Sequence, residues 1–152
     1  MSKPTAEVAP MRAHMDVDFP YKRSTGEVIG RFLAGLKEQQ KIWGRRVSGQ
    51  GVVVPPLSFS EIDASAGGEW VEVGTTGVVT AVAIVEQPVA GLHPFATRFA
   101  FVLVKLDGAD TALAHVVTDQ VDKLKVGSRV EAVWAAERSG SIRDIACFRP
   151  LS

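Results

Sequence analysis

The sequence predicts a mainly β protein in which one helix and a short ribbon-like segment precede a small closed barrel. Short β-branched runs separated by Gly, Pro and Asp fill residues 69–150, which is the pattern of a small all-β barrel. Upstream of them, apolar residues recur at helical spacing. We therefore expect an arm over residues 1–18, a helical segment over 19–43, a ribbon-like segment over 44–68 and a barrel over 69–150.

Composition narrows the functional classes. The chain has 152 residues, of which 46% are hydrophobic and 22% charged, as in soluble globular proteins. Seventeen basic and 17 acidic residues cancel, so no net field gathers nucleic acid or anionic lipid. The single cysteine, Cys147, excludes an intramolecular disulfide and favours a reducing compartment. No apolar run is long enough to cross a bilayer, and residues 1–20 lack the apolar core of a secretory signal. We expect a cytoplasmic protein with no membrane or nucleic-acid partner.

The arm and the helix are distinguished by their periodicity. Residues 1–18 are polar, carry two prolines and show no sustained period, which predicts a mobile arm. Phe19 and Tyr21 then form two aromatic anchors around a proline. Ser24 and Glu27 have the spacing of a capping box, and the apolar residues behind them predict a helix over about residues 25–40.

Residues 44–63 have the outline of a metal ribbon. A β-branched run over residues 52–54 is stopped by two prolines. In a zinc ribbon of this outline, one C-x2-C pair lies just before such a strand and another just after the prolines. The four corresponding positions hold no Cys or His: they are Arg46, Gly49, Ser60 and Asp63. We therefore predict no bound metal. An ordinary hairpin with a Pro-Pro turn is the alternative.

The barrel is predicted from strand after strand in the second half of the chain. A long loop is expected over residues 87–97, and one helical turn over 119–125. The expected strands, the first of them bent at a Gly/Thr step, are 70–85, 99–106, 111–117, 129–137 and 141–148. Five strands with a longer connection between the third and fourth match a five-stranded OB-type Greek-key barrel.

Catalytic groups are hard to assemble from this sequence. The three histidines, His14, His93 and His115, fall in the arm, the long loop and a strand. His115 is interpreted as a strand residue with a satisfied ring, and His93 as the better functional candidate. Cys147 lies at the end of an apolar strand, so we interpret it as a small buried hydrophobic residue rather than a nucleophile. We expect no independent enzymatic activity.

A family resemblance runs through roughly residues 19–150. It is carried by the order and spacing of several motifs, at residues 32–36, 52–56, 69–73, 76–80, 106–113, 126–130 and 145–148. In these motifs the chain resembles the acyl-CoA-associated OB-fold proteins, which join an N-terminal helical segment and a rubredoxin-like zinc ribbon to a C-terminal OB barrel.

The resemblance implies a non-catalytic accessory subunit. Its expected partner is an acyl-CoA thiolase or aldolase-type enzyme, similar to lipid-transfer proteins, in lipid or steroid side-chain metabolism. A MaoC-type hydratase is a further implied partner. No resident cofactor is implied, although acyl-CoA is an implied ligand. The chain departs from the family at the four ligand positions, so it resembles a branch without zinc.

Two sets of residues are candidates for binding. The densest basic patch would contact CoA phosphates through Arg31, Lys41, Arg45 and Arg46; favourable charge at a helix end is the other interpretation. Large apolar or aromatic residues outside the barrel strands would form the interface with the partner. The candidates are Phe32, Trp43, Phe59, His93 and Phe95.

A single-stranded nucleic-acid-binding OB module is the alternative function. Such a module needs aromatic platforms beside a positive groove. Phe99 and Phe101 alternate along one strand, but the nearby basic residues are only Arg98 and Lys105. We interpret the two phenylalanines as barrel core, and an acyl-CoA hydrolase ranks behind both functions.

Overall fold

The structure, a computed structural model, describes residues 13–151. The predicted arm therefore lies outside the described residues up to position 12, and residues 13–23 form no helix or strand and are exposed. Helix α1 spans Gly26–Ala34 and continues as a π-helical turn over Gly35–Gln39, which confirms the expected helix. The capping box is wrong. Thr25 is the N-cap, and its side chain accepts no hydrogen bond from the first turn. The Ser24 hydroxyl accepts from the Gly26 N–H (3.2 Å).

The ribbon is a small antiparallel sheet of three strands. Strands β1 (Ile42–Val47), β2 (Gly51–Val53) and β3 (Trp70–Val73) are arranged in the order β2-β1-β3. The sequence did not predict β1, which begins inside the segment assigned to the helix. The hairpin turns between β1 and β2, where Gly49 and Gly51 have φ of 71° and 77°, a conformation that favours glycine. A hairpin with a Pro-Pro turn is therefore wrong.

Five strands close the barrel. They are β4 (Thr76–Val85), β5 (Phe99–Leu106), β6 (Ala112–Val117), β7 (Arg129–Trp134) and β8 (Ile145–Pro150). Their order is β4-β5-β6-β8-β7, and β6 and β8 run parallel while the other neighbours are antiparallel. This arrangement is the predicted OB-type barrel.

Three boundaries of the predicted strands are wrong. Strand β7 ends at Trp134 rather than at residue 137. The bent first strand divides at residues 74–75, so that β3 belongs to the ribbon and β4 to the barrel. The last strand begins at Ile145 rather than at residue 141, because Ile142–Asp144 forms a 3-10 turn capped by Ser141. A second 3-10 turn, Val121–Lys123, lies within residues 119–125 and confirms the helical turn expected there.

One hydrophobic core joins the helix, the ribbon and the barrel. Inward side chains of β5 alternate with outward ones, and Ala100, Val102, Val104 and Leu106 are at most 3% exposed. The helix contributes Phe32 and Leu36 to the same core. The turn between β5 and β6 also holds the free edge of β2. Asp110 accepts from the Val52 N–H through Oδ2 and donates its own N–H to the Val52 carbonyl, both at 2.8 Å.

Candidate functional site

The outward face of the barrel is apolar across three strands. Phe101 and Leu103 of β5 are 44% and 41% exposed. Register places Ala83 and Val116 on either side of Phe101, and Ala81 and Ala114 on either side of Leu103. Solvent-facing positions of an antiparallel sheet are usually polar, so packing within the barrel does not account for the apolar side chains on this outer face.

Two loops turn this face into a groove, which we call the barrel groove. Pro94 and Phe95 of the long loop form one wall, and Ile142 and Arg143 of the 3-10 turn form the other. The groove encloses about 710 Å³, within the range of small-molecule and peptide sites. OB barrels bind their ligands on this strand face, between these loops.

The interpretation of Phe99 and Phe101 as barrel core is wrong. Both side chains point outward, on the side of β5 opposite Ala100 and Val102. Phe99 is nevertheless buried, because Phe95 and His93 of the long loop cover it, with ring centroids at 5.1 and 5.9 Å. Phe101 continues the same aromatic row at 5.0 Å from Phe99 and opens into the barrel groove.

His115 lies where β6 passes the seam with β8. Its cross-strand partner is Val102, which faces the core, and its ring packs edge-on against Phe148 at 5.5 Å. Nε2 lies 3.4 Å from the Ile142 carbonyl oxygen. Within residues 13–151, the buried Nδ1 has no hydrogen-bond partner, so the expectation of a satisfied ring is wrong. Burial lowers the pKa of His115 despite the backbone contact with Ile142, which keeps the ring neutral at pH 7.

The wall at Ile142–Asp144 is fixed by a buried carboxylate. Asp144 is 1% exposed and accepts from the backbone N–H groups of Ser139 and Gly140, both at 2.8 Å, and of Ser141 at 3.3 Å. Burial raises the pKa of Asp144, but these donors outweigh it and leave the pKa below its ordinary value. A charged, fully hydrogen-bonded Asp144 thus positions Ile142 and Arg143 on the groove.

A second depression lies between the start of α1 and the ribbon, and we call it the helix–ribbon cleft. It encloses about 360 Å³ and is lined by Thr25, Gly26, Phe59 and Trp70, among others. Arg45 lines it as well, and its guanidinium carbon lies 5.6 Å from the Trp70 ring centroid. Arg31 of α1 lies over the same indole, with its guanidinium carbon 4.4 Å from the ring centroid, so two cations contact one aromatic ring.

The four predicted phosphate contacts are only partly brought together. Arg31 and Arg45 converge on Trp70, whereas Lys41 pairs with Glu72 at 2.8 Å. Arg46 is adjacent to Arg45 along β1 and therefore faces the opposite side of the strand.

The five predicted interface residues are dispersed. Phe32 is 2% exposed and belongs to the core, so it is withdrawn as an interface residue. Trp43 is half-buried against the π-helical turn, where a Cβ on Gly35 would collide with its indole. Phe59 is 63% exposed in the helix–ribbon cleft, whereas Phe95 lies on the barrel groove. His93 supports the long loop, because its Nδ1 accepts from the Val89 N–H at 2.8 Å.

Hydrogen bonds join the two loops of the ribbon where ligand positions were predicted. Ser60, 3% exposed, accepts through Oγ from the N–H groups of Ile62 (3.1 Å) and Asp63 (3.4 Å), and donates to the Ser48 carbonyl at 3.0 Å. Ser48 donates through its hydroxyl to Asp63 at 2.7 Å. We call Ser48, Ser60 and Asp63 the ribbon clasp.

The ligand positions do not suit zinc. Gly49 has no side chain to bind a metal, and the Ile62 side chain lies 2.6 Å from where a Cβ on Gly49 would be. Arg46 presents a cation, and the hydroxyl and carboxylate at Ser60 and Asp63 are engaged by protein donors. No group of three His, Cys, Asp or Glu residues within positions 13–151 is arranged to hold a metal ion.

The fold and the groove define an OB-fold protein with a ribbon annex. Residues 70–135 match the family model of the ChsH2 C-terminal OB-fold domain. This match runs from β3 to the end of β7 and confirms the resemblance predicted from the sequence.

Solved structures extend the likeness beyond the barrel. A chain of the Ltp2-ChsH2(DUF35) aldolase is 20% identical with a TM-score of 0.59, covering 85% of this chain and 95% of that one. A DUF35-family protein of unknown function from Sulfolobus solfataricus is 24% identical with a TM-score of 0.56, covering 72% and 79%. At these identities the two likenesses establish the fold alone. No curated protein matched the sequence.

Proposed function

We propose that this chain is a non-catalytic subunit that docks on an acyl-CoA-processing enzyme of the lipid-transfer or thiolase-like type. The observation that carries this proposal is its fold, which matches 95% of a ChsH2(DUF35) chain from an aldolase that also contains Ltp2. The match of residues 70–135 to the model of the ChsH2 C-terminal OB-fold domain supports the proposal.

The barrel groove is the proposed docking surface. Phe101, Leu103 and Ile142 are 37–44% exposed there without a folding role, and apolar patches of this kind mark interaction sites. Of the groove's lining residues, only Arg143 carries a formal charge. The surface therefore fits an apolar segment of the enzyme, within an interface of at least about 1,000 Å².

The absence of catalysis by this chain is part of the proposal. His14 is exposed beside Asp16, His93 is engaged with the Val89 N–H, and His115 is buried and neutral. None is placed as a base beside a nucleophile of the kind that covalent catalysis needs. Cys147 is half-buried on β8, where it packs as a small hydrophobe.

The finer parts of the proposal follow the family resemblance. Arg31 and Arg45 on Trp70 are the proposed contacts for CoA phosphates, with no resident cofactor. The proposed setting is cytoplasmic lipid or steroid side-chain metabolism, with a MaoC-type hydratase as a further partner. No helix within residues 13–151 is long and apolar enough to span a membrane.

Single-stranded nucleic-acid binding is the second candidate, favoured by one observation. Phe101 is exposed on the strand face that OB modules use for base stacking. A phosphate backbone also needs cations along its path. Arg98 is held by Glu86 (2.5 Å) and Asp122 (2.7 Å), which leaves Arg143 as the cation of the barrel groove. The groove therefore suits an apolar protein segment better.

The test is reconstitution with a lipid-transfer-type enzyme from the same host. The full chain and the enzyme are co-expressed, and complex formation is measured by light scattering and titration. We expect a stable complex and no turnover of acyl-CoA by the chain alone. The Phe101→Asp substitution should raise the Kd of the complex at least about 30-fold, as expected for a hot-spot residue.

Val126→Asp is the control. Val126 is also an exposed apolar residue, but it lines neither the barrel groove nor the helix–ribbon cleft, so its variant should bind normally. Equal loss from both variants would refute the groove as the docking surface. Failure to bind any such enzyme, or tight salt-dependent binding of an oligonucleotide, would overturn the proposed function.

A further inference from the structure

The arm next to α1 has the alternation of a docking peptide. Every second residue from Met15 to Tyr21 is apolar, and these side chains are 79%, 60%, 79% and 83% exposed in chain order. Asp16 and Asp18 lie between them. An extended peptide with apolar side chains on one face and carboxylates on the other suits a site that offers both an apolar wall and cations.

The helix–ribbon cleft offers this combination. Its apolar wall is Phe59 and Trp70. Its cations are the guanidiniums of Arg45 and, against the same indole, Arg31, and the carboxylate of Glu27 also lines it. Within the described part of the chain, neither guanidinium forms an ion pair with a carboxylate. Arg45 instead donates to the Gly68 and Leu57 carbonyls, at 3.1 and 3.5 Å.

The arm enters the chain at the mouth of this cleft. Thr25 and Gly26, which follow the arm directly, line the cleft themselves. Phe19 is five residues before Ser24, a span of at most about 17 Å, so arm aromatics are within reach of Trp70. Gly26 has φ of 74°, a left-handed conformation in which the chain reverses direction easily.

We propose that residues 15–21 fold back into the helix–ribbon cleft of their own chain. In this state Phe19 and Tyr21 cover Phe59 and Trp70, and Asp16 and Asp18 face Arg31 and Arg45. The occupant is the arm in cis because the short connection holds it at an effective concentration of about millimolar. The arm then gates the cleft, and any anionic ligand or acidic partner of Arg31 and Arg45 must displace it.

This inference goes beyond the docking function, which uses the barrel groove. Amide hydrogen exchange of the full chain at pH 7 tests it, since bound segments exchange slowly and free arms do not. We expect about tenfold or greater protection of the amides between positions 16 and 22. Phe59→Ala and, separately, the double variant Phe19→Ala/Tyr21→Ala should abolish this protection.

Phe101→Ala is the matched control, because it removes an exposed phenylalanine from the barrel groove instead. It should leave the arm protected. Substituting Asn for both Asp16 and Asp18 should reduce protection, and added salt should do the same in the unaltered chain. An arm that exchanges at the rate of a free peptide would overturn the proposal. So would protection that survives Phe59→Ala, or that rises with protein concentration as docking into a second copy requires.

Discussion

The barrel and the ribbon are built from similar valine-rich strands but are stabilised by different groups. In the barrel, Val79, Val104, Val117 and Val130 have no exposed surface and pack into one core. In the ribbon, the β-strands add valines to a core, but the two loops that would surround a metal are joined by hydrogen bonds of Ser48, Ser60 and Asp63. Buried apolar side chains thus stabilise the barrel, and hydrogen bonds between side chains and backbone stabilise the two loops of the ribbon.

This difference has an energetic consequence. Burial contributes about 25 cal/mol per Å² of apolar surface and does not depend on direction. A buried hydrogen bond contributes less than its loss costs, because an unmatched donor or acceptor keeps the desolvation penalty. We therefore expect core truncations in the barrel to lower global stability most, and changes in the ribbon clasp to act locally and more weakly.

The largest effect is expected for Phe148→Ala. Phe148 is fully buried on β8, where it pairs with Val117 and Ala132. Truncation leaves a cavity between three strands and should lower the free energy of unfolding by about 3–5 kcal/mol, measured by urea denaturation. Phe59→Ala, at a 63% exposed phenylalanine of the ribbon, should lower it by only about 1–2 kcal/mol, because it releases the arm but leaves no core cavity. Comparable losses would contradict the assignment of the stability to the barrel core.

Ser60→Ala tests the ribbon clasp. It removes the acceptor for the Ile62 and Asp63 N–H groups and the donor to the Ser48 carbonyl. The free energy of unfolding should fall by about 1–3 kcal/mol. The rise in amide exchange should be largest within residues 58–67. Ser58→Ala is the control, because Ser58 is an exposed serine of the same hairpin. If both variants behave alike, hydrogen bonding by Ser60 does not hold the loops together.

The sequence predicted the barrel better than the ribbon for a physical reason. Strand alternation over residues 99–106 depends only on neighbouring residues, and β5 has these bounds. Strand β1 has no such alternation, since Gly44, Arg45 and Arg46 interrupt it. It forms because β2 and β3 supply hydrogen bonds from both sides, which is information from distant parts of the chain.

The candidate site shows the same limit. Alternation at Phe99 and Phe101 indicated one face but not whether it was the inner or the outer face of the barrel. A usable signal was the strand over residues 77–85, which is apolar on both faces and so implies an apolar outer surface. By contrast, the surroundings of the His115 ring, with Nε2 near the Ile142 carbonyl and Nδ1 without a partner among the described residues, depend on how distant segments pack. No local sequence pattern encodes that packing.

A smaller effect is expected from pH, acting through Asp63. The hydroxyls of Ser65 and Ser48 and the Ser65 N–H hold the pKa of Asp63 well below its ordinary value of 3.8. The folded chain therefore binds this proton less readily than the unfolded chain. The contribution of the ionised clasp is complete above about pH 5 and is lost as the pH falls below that range.

Titration of the Asp63 carboxyl by NMR checks this expectation. Its midpoint should lie clearly below 3.8 in the unaltered chain and move upward in Ser65→Ala. The difference in stability between the unaltered chain and Asp63→Asn should shrink as the solution is acidified. A midpoint at or above the ordinary value would mean that the clasp does not stabilise the carboxylate.

Chelation should have the smallest effect, namely none. A zinc ribbon loses much of its folding free energy when the metal is removed, because the ligands and the metal hold the loops together. In this chain the corresponding positions offer one guanidinium, one glycine, one hydroxyl and one carboxylate, and the last two are engaged by the clasp. Incubation with EDTA should leave Tm unchanged, whereas a four-cysteine zinc ribbon treated in parallel should lose stability. One zinc ion per chain that resists dialysis, or a fall in Tm with EDTA, would show that the ribbon is held by metal and not by Ser48, Ser60 and Asp63.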